Sequence, residues 1–207
     1  MIYLVRSARR QGLPFRLSSL ALLLVAASAV LAAVLLWQGI RKLCDFCDRY
    51  SRYDALILEA GRRNGVDPRL LKAVIWRESR FRPDARGTKG EIGLMQIMPK
   101  ASAQDWADAQ GVKLPSRGAL ADPALNIEIG SWYLGRALWK WRGYKDHVVL
   151  ALAEYNAGPR NARAWKPQTP EGSALDKISI ASTLSYVKSI LGKYETYKKT
   201  WKMDQKE

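Results

Sequence analysis

WRESRFRPDARGTKGEIGLMQIMP, residues 76–99, is the stretch on which the reading of this chain turns. An acid, Glu78, closes an apolar helical pattern in a strongly basic chain. Three glycines and a run of uncharged, mostly apolar residues follow it. With Glu78 at zero on a helical wheel of ~100° per residue, Val74 falls at about −40°, Leu71 at about +20°, Ile75 at about +60° and Leu70 at about −80°. Glu78 thus points into the middle of the apolar arc. Arg69, Lys72, Trp76 and Arg80 take the other side, where a solvated glutamate would be expected. Burial disfavours a carboxylate, and so do the exposed carbonyls at a helix C-terminus. Both effects raise the proton affinity of Glu78, which suits a general acid working near neutral pH. A buried glutamate paired with Arg77 or Arg82 fits the same pattern, and the wheel does not choose between the two.

The loop adds to the acid reading. Gly87, Gly90 and Gly93 remove side chains and let backbone approach a ligand closely. Leu94-Met95-Gln96 then offers an amide flanked by apolar side chains, which suits a sugar. The glycines do not match a nucleotide-binding pattern.

Working outward, Asp67-Pro68 starts the helix that carries Glu78. Asp67 stands at the N-cap and Pro68 at the first helical position, where a missing N–H costs nothing. Upstream, residues 53–64 read as a helix ended by Gly65. Downstream, residues 83–93 read as loop and residues 99–110 as a helix closed near Gly111. Asp122-Pro123 starts a long helix to about Trp141. Residues 147–156 form a short apolar helix ending at Ala157-Gly158-Pro159, and residues 175–201 form a last helical stretch. No long alternating pattern occurs. The expected class is all-α, with a small irregular strand or loop region around residues 87–96.

The 207 residues suffice for one domain plus an appendage. Eight tryptophans and nine tyrosines serve either core packing or a sugar- or partner-binding surface. Residues 1–49 hold seven Lys/Arg and two acids. They therefore carry +5 of the formal charge of +15, leaving +10 on the rest. Such a surface suits a polyanion: nucleic acid, anionic lipid or an acidic wall polymer.

Residues 17–37, LSSLALLLVAASAVLAAVLLW, form an uncharged run of 21. At ~1.5 Å per residue this spans the ~30 Å hydrocarbon core. The run is longer than a signal-peptide core, and no polar face marks it as a buried soluble helix. Arg6, Arg9, Arg10 and Arg16 precede it and Arg41, Lys42 and Arg49 follow. The positive-inside rule then places residues 1–16 in the cytoplasm and the domain outside. The expected organisation is a cytoplasmic terminus (1–16), a transmembrane anchor (17–37), a juxtamembrane linker (38–50) and a catalytic domain (51–201). Nucleic-acid binding then falls in the wrong compartment and lacks a recognised motif. Cys44 and Cys47 form a lone CxxC. His147 is the only histidine, too few ligands remain for a zinc site, and no functional role is assigned to the pair.

Glu78-Ser79, GLMQIMP at residues 93–99 and AEYNAGP at residues 153–159 together resemble the lytic transglycosylases of the soluble-lytic-transglycosylase type. The resemblance runs over about residues 53–191, with the motifs in the family's order and spacing. It implies a goose-type-lysozyme-like helical fold and an enzyme of the bacterial cell wall. Such an enzyme cleaves the β-1,4 bond between N-acetylmuramic acid and N-acetylglucosamine in peptidoglycan and closes a 1,6-anhydro ring on the muramic residue. By the same resemblance Glu78 is the catalytic acid and then base. Met95, Gln96, Tyr155, Asn156 and Tyr186 are its substrate-binding residues. No cofactor or metal is implied. The partners are peptidoglycan strands and the inner membrane, with the domain facing the periplasm; a partner in an envelope machine stays open. From the residues alone, Tyr155 is equally a core aromatic at a helix end and Asn156 a C-cap. Two positions depart from the family pattern: Gly87 replaces a frequent serine, and Ser182-Thr183 replaces a frequent Glu-Thr. Two alternatives remain, a hydrolytic muramidase on the same scaffold and a non-catalytic wall-binding scaffold.

Overall fold

The computed structural model describes residues 19–203. The expected cytoplasmic terminus, with its four arginines, lies outside the described residues. The chain divides after Asp48 into an N-terminal unit and a larger one starting at Arg49.

Helix α1 spans Ser19–Ser51, and all but its last three residues belong to the N-terminal unit. It is the one helix among the described residues long and apolar enough to cross a membrane, with a mean hydropathy of 2.3 over its apolar window. Leu23, Leu24, Leu31, Leu36 and Trp37 are exposed along it. The segment expected as a juxtamembrane linker, residues 38–50, is helical. Cys44 is exposed.

The larger unit contains α2 (Asp54–Asn64), α3 (Pro68–Ser79), α4 (Ser102–Gln110), α5 (Pro123–Trp141), α6 (His147–Trp165) and α7 (Ala181–Thr200). Short 3₁₀ turns lie at Ala119–Ala121 and Leu175–Lys177. The all-α expectation holds, with no strand among the described residues. The irregular region expected at 87–96 consists of two isolated bridges, Arg86 with Ile92 and Ile92 with Ile97. The turn signals work as read. The Asp67 carboxylate accepts from the Arg69 N–H at 2.8 Å and that of Asp122 from the Leu125 N–H at 3.0 Å. Gly65 and Gly111 close their helices in the left-handed conformation.

Three boundaries differ from expectation. α4 begins at Ser102 rather than Pro99. α6 does not stop at Ala157-Gly158-Pro159: Gly158 breaks it at φ 82°, ψ 165°, and a further segment runs to Trp165. Pro159 is the reason. It cannot continue the first segment, yet its fixed φ suits the first turn of the second. The last helix begins at Ala181 rather than Leu175, after a 3₁₀ turn and a stretch in which Ile178 is buried.

α3 is packed by α7 and α2. Leu71, Val74 and Ile75 are all fully buried, which confirms the wheel's apolar arc. The opposite side departs from the wheel. Lys72 is only 5% exposed, because α7 covers that side as well. Its ammonium pairs with Asp54 at 2.5 Å and lies over the rings of Trp201 (4.1 Å) and Tyr197 (5.5 Å).

Candidate active site

Glu78 stands in the last turn of α3. The chain then leaves the helix abruptly. Arg80 takes the left-handed conformation (φ 54°) and donates its N–H to the Trp76 carbonyl at 3.2 Å, and Phe81 follows at φ 60°. Each left-handed non-glycine residue costs about 1–2 kcal/mol. Burial of the Phe81 ring, 1% exposed and 5.0 Å from the Tyr50 ring, offsets roughly 2–3 kcal/mol of that. The sharp exit leaves Glu78 uncovered by any further turn of its own helix.

Tyr186, from α7, donates its hydroxyl to Glu78 Oε1 at 2.6 Å. No ion pair reaches Glu78 among the described residues. Arg77 places its guanidinium over the Tyr186 ring at 5.3 Å, and Arg82 donates Nε to the Ser79 carbonyl at 3.3 Å. Neither arginine forms the pairing that the sequence left open. Burial therefore dominates and pushes the Glu78 carboxyl up to about 7, with the nearby charge of Glu91 adding to the rise. The Tyr186 hydrogen bond and the Arg77 charge oppose it without cancelling it. Burial also raises the Tyr186 and Tyr155 hydroxyls well above the usual tyrosine range, and the charge of Glu78 adds to both. Both phenols thus stay protonated as donors.

The loop after α3 is built as a platform. Met95 N–H donates to Asn126 Oδ1 at 2.8 Å, while Asn126 Nδ2 donates to the carbonyls of Ile92 (2.8 Å) and Leu120 (2.7 Å). Asn126, on α5, is fully buried; it is the internal clamp of the GLMQ segment. Gly93 is required where it stands. Its φ is +80°, and a Cβ there would lie 2.4 Å from Asn126 Nδ2.

Tyr155 donates its hydroxyl to the Met95 carbonyl at 2.8 Å and meets Tyr133 edge-on at 5.8 Å. The platform is thereby tied to α6. Met95 itself, expected among the sugar contacts, is fully buried. Its side chain lies against Gly130, where a Cβ would come within 2.4 Å of its sulfur. Its polar contribution to the site is the backbone carbonyl. Gln96 (φ 49°) turns its amide back, donating Nε2 to the Gly93 carbonyl at 2.9 Å and the Ala85 carbonyl at 3.4 Å.

Asn156 is exposed, and Gly158 rather than Asn156 breaks the first segment of α6. Its Oδ1 accepts from Thr183 Oγ1 at 2.8 Å, which ties α6 to the first turn of α7. Of the Ser182-Thr183 departure, Thr183 is buried and makes this bond, while Ser182 is exposed. The structure thus brings Glu78 and Tyr186 into direct contact, and joins Met95 to Tyr155 and Asn156 to α7.

Sequence reasoning missed Asn126 and Thr183. Asn126 carried the same signal as Glu78, a polar residue inside an apolar arc: Ile129, Gly130 and Leu134, three, four and eight residues on, are all buried with it. Thr183 gave no such signal, because its bond to Asn156 exists only once α6 and α7 meet. Among the described residues no group of His, Cys, Asp or Glu is arranged to hold a metal ion.

Residues 55–177 match the family described as Transglycosylase SLT domain. The chain is 38% identical over 143 residues to membrane-bound lytic murein transglycosylase C of Salmonella arizonae, covering 66% of this chain and 38% of that protein. Among solved structures, it superposes with TM-score 0.65 on an inactive glutamate-to-glutamine mutant of the lytic transglycosylase Slt from Pseudomonas aeruginosa. That match has 29% identity and covers 72% of this chain and 24% of the other. The 70-kDa soluble lytic transglycosylase of Escherichia coli gives TM-score 0.64 at 27% identity, again covering 72% of this chain and 24% of the other. The chain therefore spans well under half the length of each of these relatives. With more than half of its residues inside the family match, the chain belongs to the transglycosylase SLT domain family.

Proposed function

We propose that this chain is a membrane-anchored lytic transglycosylase of peptidoglycan. The observation that carries the proposal is the Glu78 carboxyl. It is buried, bonded by the Tyr186 hydroxyl at 2.6 Å, in no ion pair among the described residues, and pushed up to about 7. Near neutral pH such a group gives up and takes back a proton with little penalty.

In the first step Glu78 donates its proton to the glycosidic oxygen between N-acetylmuramic acid and N-acetylglucosamine. The C1–O bond breaks and the N-acetylglucosamine leaves as an alcohol. The muramic N-acetyl oxygen stabilises the cationic C1. Glu78, now anionic, takes the proton of the muramic C6 hydroxyl while O6 bonds to C1. The product is a 1,6-anhydro ring, no water is consumed, and the proton returns to Glu78. One carboxylate thus serves both steps, unlike the usual pair of glycosidase carboxylates. Gln96, Tyr155 and Asn156 form the wall against which the sugar is held, and the buried Met95 carbonyl holds the Tyr155 hydroxyl from behind.

The apolar helix α1 anchors the protein in the inner membrane as a single span, with the SLT domain in the periplasm. The name of the Salmonella relative, a membrane-bound murein enzyme, supports this reading. The positive charge of the domain suits a glycan whose stem peptides carry carboxylates. One observation favours a second reading, hydrolysis by water as in a muramidase: the carboxylate of Glu91 lies near enough to Glu78 to raise its proton affinity.

The test is digestion of purified sacculi with the full-length protein in detergent, beside Glu78→Gln, with products weighed by mass spectrometry. The expected result is muropeptides lighter by one water than reducing-end products, with release cut by about 10²–10⁴ in the variant. Reducing-end products would replace this reading by hydrolysis. Equal release by both proteins would remove Glu78 from the chemistry. No release by the wild type would leave a wall-binding scaffold.

A further inference from the structure

Gly87 lies in the loop that follows α3, and its surroundings are specific. The Gly87 N–H donates to the Glu91 carbonyl at 3.0 Å and the Gly90 N–H to the Gly87 carbonyl at 3.2 Å. This tight turn folds Glu91 back over Gly87. The Glu91 carboxylate is held by the Lys89 backbone N–H at 2.8 Å. A Cβ on Gly87 would stand 2.2 Å from Glu91 Oε2 and 2.7 Å from its Cδ. The same point is 2.9 Å from Gln96 Oε1. Because Gln96 Nε2 is committed to the Gly93 and Ala85 carbonyls, the orientation of that amide is fixed and its oxygen faces Glu91. Two acceptors therefore converge over bare backbone.

We infer that Glu91 is a second functional carboxylate of this site: seated over Gly87, it joins Gln96 Oε1 in offering paired acceptors to a hydrogen-bond donor of the glycan, a hydroxyl or an acetamido N–H. This rests on the reading of the site as glycan-cleaving. Two acceptors that close together are satisfied by a donor placed between them and repel an anionic group. The absence of a side chain at position 87 is then part of the design, since a serine or alanine there would evict the carboxylate.

The position of Glu91 has a second consequence. The charged or titratable groups facing Glu78 are Arg77 on its own helix, Tyr186 from α7, Tyr155 from α6 and Glu91 from the loop. Among these Glu91 supplies the negative charge, and it opposes ionisation of Glu78. Besides meeting the glycan, its charge therefore acts on the proton transfer through Glu78.

The experiment is a ¹³C-carboxyl NMR titration of Glu78 in the full-length protein in detergent micelles, assigned by loss of the signal in Glu78→Gln. Wild type is compared with Glu91→Gln, which keeps the shape and removes the charge, and with Gly87→Ala. The alanine is compatible with the backbone at 87, which is not left-handed. It acts by pushing aside the far end of the Glu91 side chain. Both variants are expected to lower the Glu78 midpoint below that of wild type. On sacculi, both should move the alkaline limb of the rate to lower pH and raise KM more than they lower kcat. Unchanged midpoints in both variants would overturn the inference. A fall in Glu91→Gln alone would overturn the seat over Gly87. The titration needs no turnover. A shift in midpoint with a wild type inactive on sacculi would therefore sink the enzymatic reading and leave the Glu78–Glu91 coupling standing.

Discussion

Lys72 and Glu78 lie six residues apart on one helix, and both bring an ionisable group out of bulk water. They are treated in opposite ways. Lys72 is given an anion, Asp54 at 2.5 Å, and two aromatic faces. Burial lowers its proton affinity while Asp54 opposes the fall. Glu154, in the AEYNAGP segment, is compensated likewise, by Lys140 at 2.8 Å and the Trp141 indole N–H at 2.8 Å. Glu78 receives a neutral hydroxyl and no cation within bonding distance. A buried charge with its counter-ion holds a structure together; one left without a counter-ion holds a proton. The partner, more than the burial, separates a structural acid from a chemical one.

The comparison breaks most visibly at Lys72. Lys72→Met removes the cation and leaves the Asp54 carboxylate partly buried and alone, since burial raises its proton affinity once Lys72 no longer opposes it. The expected loss is about 3 kcal/mol in urea unfolding at pH 7. Adding Asp54→Asn should recover most of it. A single variant as stable as wild type would mean that Lys72 is not compensated as described.

A smaller effect is expected at Tyr186. Tyr186→Phe removes the bond that favours the Glu78 carboxylate. The Glu78 proton is then held more tightly, and the alkaline limb of the rate moves to higher pH. Turnover should fall about tenfold, the worth of one hydrogen bond to a charged group. A limb moving to lower pH would contradict the assignment. Smaller still is Arg77→Gln. It removes a favourable charge that ranks below the tyrosine bond in its effect on Glu78. The limb should move in the same direction by less.

Much of this contrast was legible in the sequence. The arc of Leu71, Val74 and Ile75 placed Glu78 inward, and all three are buried. Asp67-Pro68 and Asp122-Pro123 fixed two helix starts, because capping is local chemistry. Lys72 was read onto the solvated side because a wheel describes one helix and knows nothing of α7, some 120 residues later, that covers it. That the Met95 side chain packs against Gly130, on another helix, was not legible either. The clash that any side chain at position 87 would make was equally hidden, because it depends on the Glu91 carboxylate being folded back by the loop. What stays local in space was readable; what arises where distant segments meet was not.

The most direct test of the central claim compares the stability of wild type and Glu78→Gln between pH 4 and 8. The folded protein holds the Glu78 proton up to about 7, against 4.5 for the ordinary value. Between those values the native state therefore binds more protons than the unfolded chain, and wild-type stability falls as pH rises. Glutamine keeps the acceptor for Tyr186 and never ionises. The difference should be near zero at pH 4.5 and below, and grow through neutrality to about 2–3 kcal/mol in favour of the variant at pH 8. A pH-independent difference, or a wild type more stable than the variant at pH 8, would mean that Glu78 is a compensated carboxylate like Glu154, and the account of it as the site's acid would fall.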